Sequence, residues 1–207
     1  MGPGVSNLRT AFLALGSNLG DRLQQLRAGL ERLAAGSHVE VTAASSLYET
    51  QPVACAGGPF LNAVVAVRTD LGPRELLRLA KEAETAAGRT GGQADARPLD
   101  VDILFFGDER MDDPELTIPH PRVFERGFVM RPLAEVCADA VDPRTGRPIQ
   151  RLIEAAGWDS SAIQVVAGPE WIGRCSAFQQ KCRPRAAGTD GRDCDGNRSS
   201  GTQSIER

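Results

Sequence analysis

Apolar positions along roughly the first 170 residues switch between two periods. Ala11–Leu15 is a short apolar run that stops at Gly16-Ser17-Asn18, as a buried strand does on entering a loop. Leu23, Leu26, Leu30 and Leu33 then recur at helical spacing, with Asn18 or Asp21 available as the N-terminal cap. Val39–Tyr48 carries β-branched residues and reads as a strand. Phe60–Arg68 has a period of two, with Leu61, Ala63, Val65 and Val67 on one face and Phe60 and Asn62 on the other. A second helix is predicted from Pro73, a favoured first-turn residue, to Gly88, a favoured C-terminal cap. Leu99–Phe106 is the next clear strand, with Leu99, Val101, Ile103 and Phe105 expected to face the core together. Turn residues at Gly107-Asp108 and Asp112–Pro114 predict a small hairpin. Phe124–Val136 and Gln150–Ala156 read as helices. The order β-α-β-β-α-β, followed by extra pieces, predicts an α+β fold. Its form is a ferredoxin-like sandwich, a mainly antiparallel sheet with helices packed on it. The regular β-α alternation of a doubly wound sheet is missing.

Periodicity fades after residue 167. Residues 168–207 are rich in Gly, Ser, Arg and Asp and hold three of the five Cys, at 175, 182 and 194. The expectation is one domain over residues 8–167 and a disordered tail over 168–207. A zinc site in the tail is disfavoured, because its Cys spacing contains no CxxC and no His lies nearby. Composition then narrows the class. The chain has 207 residues, 41% hydrophobic and 25% charged, an ordinary globular mix. A net charge of −3 argues against a general nucleic-acid binder. Only two of the 24 basic residues are Lys, so most of the Arg excess reads as compositional background. No apolar run approaches the ~20 residues that span a bilayer, and no secretory leader is visible. With an odd Cys count, this predicts a cytoplasmic protein with reduced thiols, expected to be a monomer.

The densest chemistry lies in Arg97-Pro98-Leu99-Asp100-Val101-Asp102-Ile103. Strand alternation puts Asp100 and Asp102 on one face, about 7 Å apart. Two ionised carboxylates at that separation repel unless a cation sits with them, and hard oxygen ligands suit Mg²⁺ shared with phosphates. By itself the pattern fits a solvated strand face equally well. The surroundings favour the metal: a glycine-containing loop from Gly88 to Ala96 with Arg89 and Arg97 at its ends, and His120 close to Arg126 downstream. Such a set resembles an anion-binding wall.

The chain resembles the 6-hydroxymethyl-7,8-dihydropterin pyrophosphokinase family. The resemblance rests on Ala14-Leu15-Gly16-Ser17-Asn18-Leu19-Gly20-Asp21, Ser46-Leu47-Tyr48-Glu49-Thr50, Phe60-Leu61-Asn62-Ala63, Arg97-Pro98-Leu99-Asp100-Val101-Asp102-Ile103, and Ile118-Pro119-His120-Pro121 with Arg126-Gly127-Phe128. These stand in the family's order from about residue 10 to 136. The resemblance implies transfer of the terminal pyrophosphoryl group of ATP to the pterin's hydroxymethyl group, with release of AMP. It implies two Mg²⁺ held by Asp100 and Asp102, and Arg89 and Arg97 as the catalytic loop arginines. It further implies Glu84, Ile103, Thr117, His120 and Arg126 against ATP, and Thr50, Val53, Phe60, Asn62 and Phe128 around the pterin. A flat polar heterocycle needs two stacking surfaces and a hydrogen-bonding edge, which suits Phe60, Phe128 and Asn62.

The chain departs from the family in the loop before Arg97. That loop seats Gln93, Ala94, Asp95 and Ala96 where the family commonly has Trp, is two residues shorter, and has Gly91 in place of a second basic residue. Two other readings therefore stand beside the enzyme: a pterin- and nucleotide-binding protein of the same fold with weak catalysis, and a ferredoxin-like interaction domain without phosphate chemistry.

Overall fold

The computed structural model describes residues 8–52, 56–90, 95–137, 139–157 and 163–173. In chain order its elements are β1 (Arg9–Ser17), α1 (Arg22–Leu33), β2 (Val39–Ala44), β3 (Leu47–Thr50), β4 (Phe60–Thr69), α2 (Pro73–Ala86), β5 (Asp100–Phe106), β6 (Met111–Asp112), β7 (Thr117–Ile118), α3 (Gly127–Val136), α4 (Ile149–Ala156) and β8 (Ile163–Ala167). A single 3₁₀ turn, Pro169–Ile172, follows. β1 lies between β5 and β4. β2 and β3 share the far edge of β4, and β8 adds outside β3. Every pair is antiparallel. The expected α+β sheet with packed helices is the observed one, with α1 and α2 on one face and α3 and α4 on the other.

Alternation along the strands sorts the core into two layers. Leu61, Ala63, Val65 and Val67 face α1 and α2, where they meet Leu26, Leu30, Leu76 and Ala80. Val64 and Ala66 face α3 and α4, where they meet Val129, Leu133 and Ile153. Local chemistry sets the helix ends. Of the two candidate caps for α1, Asp21 does the work, its carboxylate accepting the Gln24 N–H at 3.0 Å. At α2, Pro73 opens the first turn and Glu75 reaches back to accept the Gly72 N–H at 2.7 Å.

The structure corrects three sequence expectations. Phe105 does not share a face with Ile103. Phe12 pairs with Phe105 and Leu13 with Ile103, so Leu104 is an extra residue in β5. The bulge turns Leu104 and Phe105 toward α3, while Val101, Ile103 and Phe106 stay on the α1/α2 side. Residues 39–48 are not one strand. The backbone breaks at Ser45, whose hydroxyl accepts the Val64 N–H at 3.0 Å and donates to the Ser46 carbonyl at 2.7 Å. The third correction is at the boundary placed after residue 167. Trp171 and Ile172 are only 3% and 4% exposed and belong to the α1/α2-side core. The Trp171 indole N–H donates to the Ser45 carbonyl at 2.8 Å, and Arg27 Nε donates to the Trp171 carbonyl at 2.6 Å. Burial of a large ring outweighs the local polarity that suggested a tail. The remainder of the expected disordered tail, with Cys175, Cys182 and Cys194, lies outside the described residues. Among the described residues, no helix is long and apolar enough to cross a membrane.

Candidate functional site

The α3 face of the sheet is left partly uncovered where β1, β4 and β5 end together. Register fixes what stands there. Asn62, Gly16 and Asp100 form one cross-strand row, and Val64, Ala14 and Asp102 form the next. Small residues in the middle of both rows keep the floor open. A Cβ on Gly16 would meet Asn62 Oδ1 at 3.3 Å and the Phe60 ring at 3.5 Å. The Asn62 amide is oriented from the side, its Nδ2 donating to Thr50 Oγ1 at 2.9 Å. Phe128, in the first turn of α3, faces this floor with the Arg126 guanidinium 5.7 Å from its ring centre. Arg97 lies 5.8 Å from the Phe60 ring centre. Together these residues bound a cleft of about 660 Å³.

Its electrostatics divide into two halves. Arg89 donates to Asp100 Oδ1 at 2.6 Å and also pairs with Glu84 at 2.8 Å, and Arg97 reaches Asp100 Oδ2 at 3.1 Å. Burial alone would pull the Arg89 pKa down, but Asp100, Glu84 and Asp102 outweigh it and hold it above the ordinary value. Asp102 accepts no hydrogen bond among the described residues. Burial, and then the neighbouring Asp100 charge, push its carboxyl above the usual carboxylate range. On the other half, burial lowers the His120 pKa, Arg126 and Arg122 lower it further, and Asp102 opposes them. The His120 Nδ1 accepts the Arg122 N–H at 3.2 Å. Arg126 is lowered as well, first by burial and then by Arg122.

Most of the residues singled out from the sequence gather here: Thr50, Phe60, Asn62, Arg89, Arg97, Asp100, Asp102, His120, Arg126 and Phe128 all line the cleft. Three do not. The Ile103 side chain is buried on the α1/α2 side, as alternation next to Asp102 requires. Glu84 is 2% exposed and sits behind the wall, where it accepts the Val101 N–H at 2.8 Å and pairs with Lys81 and Arg89. Thr117 lies in the β6–β7 hairpin and is not a lining residue. Val53 falls outside the described residues. Among the lining residues sequence reasoning missed are Gly16, Lys81 and Arg122. Lys81 stands one helical turn before Glu84 in a chain with a single other Lys, a signal within reach. Gly16 stands in the Ala14–Asp21 motif, but its role depends on strand partners remote in sequence.

The donor set suits Mg²⁺. Among the described residues no group of three or more His, Cys, Asp or Glu could cage an ion by itself. Two carboxylates beside cationic walls are what a hydrated ion needs when phosphate oxygens complete its shell. Asp102, whose carboxylate burial and then the Asp100 charge destabilise, is the ligand such a cation would relieve.

Comparison with known proteins places the chain in a family. Residues 12–138 match the family model described as 7,8-dihydro-6-hydroxymethylpterin-pyrophosphokinase. The chain is 45% identical over 129 residues to the 2-amino-4-hydroxy-6-hydroxymethyldihydropteridine pyrophosphokinase of Bacillus subtilis, covering 61% of this chain and 77% of that protein. The protein of the same name from Synechocystis is 35% identical over 182 residues, covering 87% of this chain and 92% of the other. The mitochondrial folate synthesis bifunctional protein of Arabidopsis thaliana is 44% identical over 153 residues, and the match spans only 26% of its length. Among solved structures, the HPPK-DHPS of Plasmodium falciparum superimposes with a TM-score of 0.57 at 15% identity, over 72% of this chain and 44% of that one. That likeness concerns the fold alone.

Proposed function

The chain belongs to the 7,8-dihydro-6-hydroxymethylpterin-pyrophosphokinase family, and we propose that it performs this reaction in folate synthesis: transfer of pyrophosphate from ATP to 6-hydroxymethyl-7,8-dihydropterin, with release of AMP. One observation carries the reading. Asn62, an amide suited to a heterocycle edge, and Asp100, a carboxylate suited to a metal–phosphate group, flank Gly16 in one row of one cleft.

In this reading the pterin lies between Phe60 and Phe128, and Asn62, its amide held by Thr50, hydrogen-bonds the ring edge. The hydroxymethyl oxygen attacks the β-phosphorus of ATP and releases its proton to solvent. The bond from that phosphorus to the α-phosphate bridging oxygen breaks, and AMP leaves. Asp100 and Asp102 would hold Mg²⁺, two ions in our proposal, which when bound offsets charge on the phosphate oxygens and orients them. Arg89 and Arg97, which both bond Asp100, would contact the transferring phosphates. His120 and Arg126 would hold the nucleotide's phosphate side. Burial of these groups makes each contact stronger than it would be in water. Glu84 fits a supporting role behind Arg89 better than a nucleotide contact. We propose residues 8–173 as the active unit, working as a monomer in the cytoplasm.

The test is AMP formation by the purified chain supplied with ATP, Mg²⁺ and the hydroxymethyl-dihydropterin. Saturable binding of both ligands without AMP would instead select the binding-protein reading, which the Trp-free loop motivates.

A further inference from the structure

Three loops meet at one buried side chain outside the cleft lining. Asn18, only 5% exposed, follows β1. Its Nδ2 donates to the Ala56 carbonyl at 2.8 Å, in the β3–β4 loop. Its Oδ1 accepts the Arg97 N–H at 2.7 Å, in the α2–β5 loop. Its own backbone N–H donates to the Arg97 carbonyl at 3.1 Å, so Arg97 is gripped on both sides of its Cα. These partners fix which end of the amide is which, because the Arg97 N–H can only donate and the Ala56 carbonyl can only accept. Gly57 completes the knot. Its φ is +104°, and a Cβ there would lie 2.5 Å from Asn18 Nδ2 and 2.9 Å from Ala96 Cβ. Only glycine fits both that backbone and that space.

The two loops joined here serve different halves of the cleft. The β3–β4 loop joins Thr50, at the end of β3, to Phe60, at the start of β4, both on the aromatic side. The α2–β5 loop carries Arg97, which reaches Asp100 on the phosphate side. A movement of either loop strains a short hydrogen bond to the same amide.

We infer that Asn18 is a positioning residue that couples the two substrate halves: through its amide, occupancy of the pterin side sets the Arg97 backbone, and occupancy of the phosphate side sets the β3–β4 loop. The inference rests on the substrate assignment proposed above. It requires that each ligand tighten the other's binding by the same factor, since coupling between sites is reciprocal.

The experiment measures the pterin dissociation constant with and without a non-hydrolysable ATP analogue plus Mg²⁺, and then the reverse, on the full chain. In wild type the coupling factor is expected to be about tenfold or more. In Asn18→Ala it should fall to about one, while kcat drops roughly a hundredfold because Arg97 is no longer held in place. Asn18→Asp separates the two arms. It keeps the acceptor for the Arg97 N–H but replaces the donor to Ala56 with a second oxygen, so it should lose the coupling and retain more of kcat than Asn18→Ala. It also serves should the alanine variant fail to fold, as a thermal melt will show. A merely structural role would weaken both affinities in parallel and leave the coupling factor intact. That result, or a factor of one in wild type, overturns the inference. A wild-type chain that couples both ligands yet makes no AMP would refute the catalytic reading and leave the role of Asn18 standing.

Discussion

Replacing Trp171 with Ala tests where the folded unit ends. The residue lies beyond the 12–138 stretch that matches the family model, in a segment whose composition resembles a tail. In the structure its ring is 3% exposed in the α1/α2-side core, and its indole N–H is bonded to the Ser45 carbonyl at the break between β2 and β3. Large aromatic-to-alanine changes in a core cost about 3–5 kcal/mol, the lost transfer energy plus a cavity. The unpaired Ser45 carbonyl adds about 1 kcal/mol. The Arg27 bond goes to the Trp171 main chain and survives, so about 5 kcal/mol is a fair total. For a chain of this size each kcal/mol lowers Tm by about 2–4 °C, which gives a loss of about 10 °C or somewhat more. Trp171→Phe keeps most of the ring volume and loses only the donor, so it should fall by about a third of that. Thermal unfolding of the full chain followed by circular dichroism reads both. If Trp171→Ala melts within about 2 °C of wild type, the 168–173 turn is not part of the core and the burial argument fails.

Asp100→Ala and Asp102→Ala should each reduce AMP formation by about 10²–10³-fold while the protein stays folded, as a steady-state assay and a melt will show; near-normal turnover would remove the carboxylate pair from the mechanism. Gly16→Val places a side chain against Asn62 Oδ1 and the Phe60 ring, so the pterin KM should rise about tenfold with the nucleotide KM nearly unchanged; equal effects on both would contradict the proposed division of the cleft. Tyr48 is pushed up to about 12 by burial and by its hydrogen bond to Glu135. An unfolded tyrosine ionises near pH 10, so the folded chain holds the extra proton between about 10 and 12. The resulting stabilisation is complete below about pH 10 and lost as pH rises through about 12. Urea denaturation across that window should therefore show a steeper loss for wild type than for Tyr48→Phe, and parallel curves would refute the shift.

Asp100 and Asp102 on one face of a strand, and Phe60 with Asn62 on one face of another, follow from the two-residue period of an extended backbone, and the sequence alone determined both. Helical spacing with Pro73 and Asp21 at the starts likewise determined α1 and α2, because capping and amphipathic periodicity act over a few neighbours. The motifs from Ala14 to Phe128 determined the family. What the sequence could not decide were events between distant segments. Gly16 stands between Asn62 and Asp100 only because β1 pairs with β4 on one side and β5 on the other. The bulge at Leu104, which sends Phe105 to the opposite layer from Ile103, depends on how β5 registers against β1. The break at Ser45 is completed by an indole 126 residues away. The amide of Asn18 joins loops 38 and 79 residues downstream. Local pattern specifies which face a side chain takes. Only the closed sheet, by burying some polar groups and requiring partners for them, decides what that face meets.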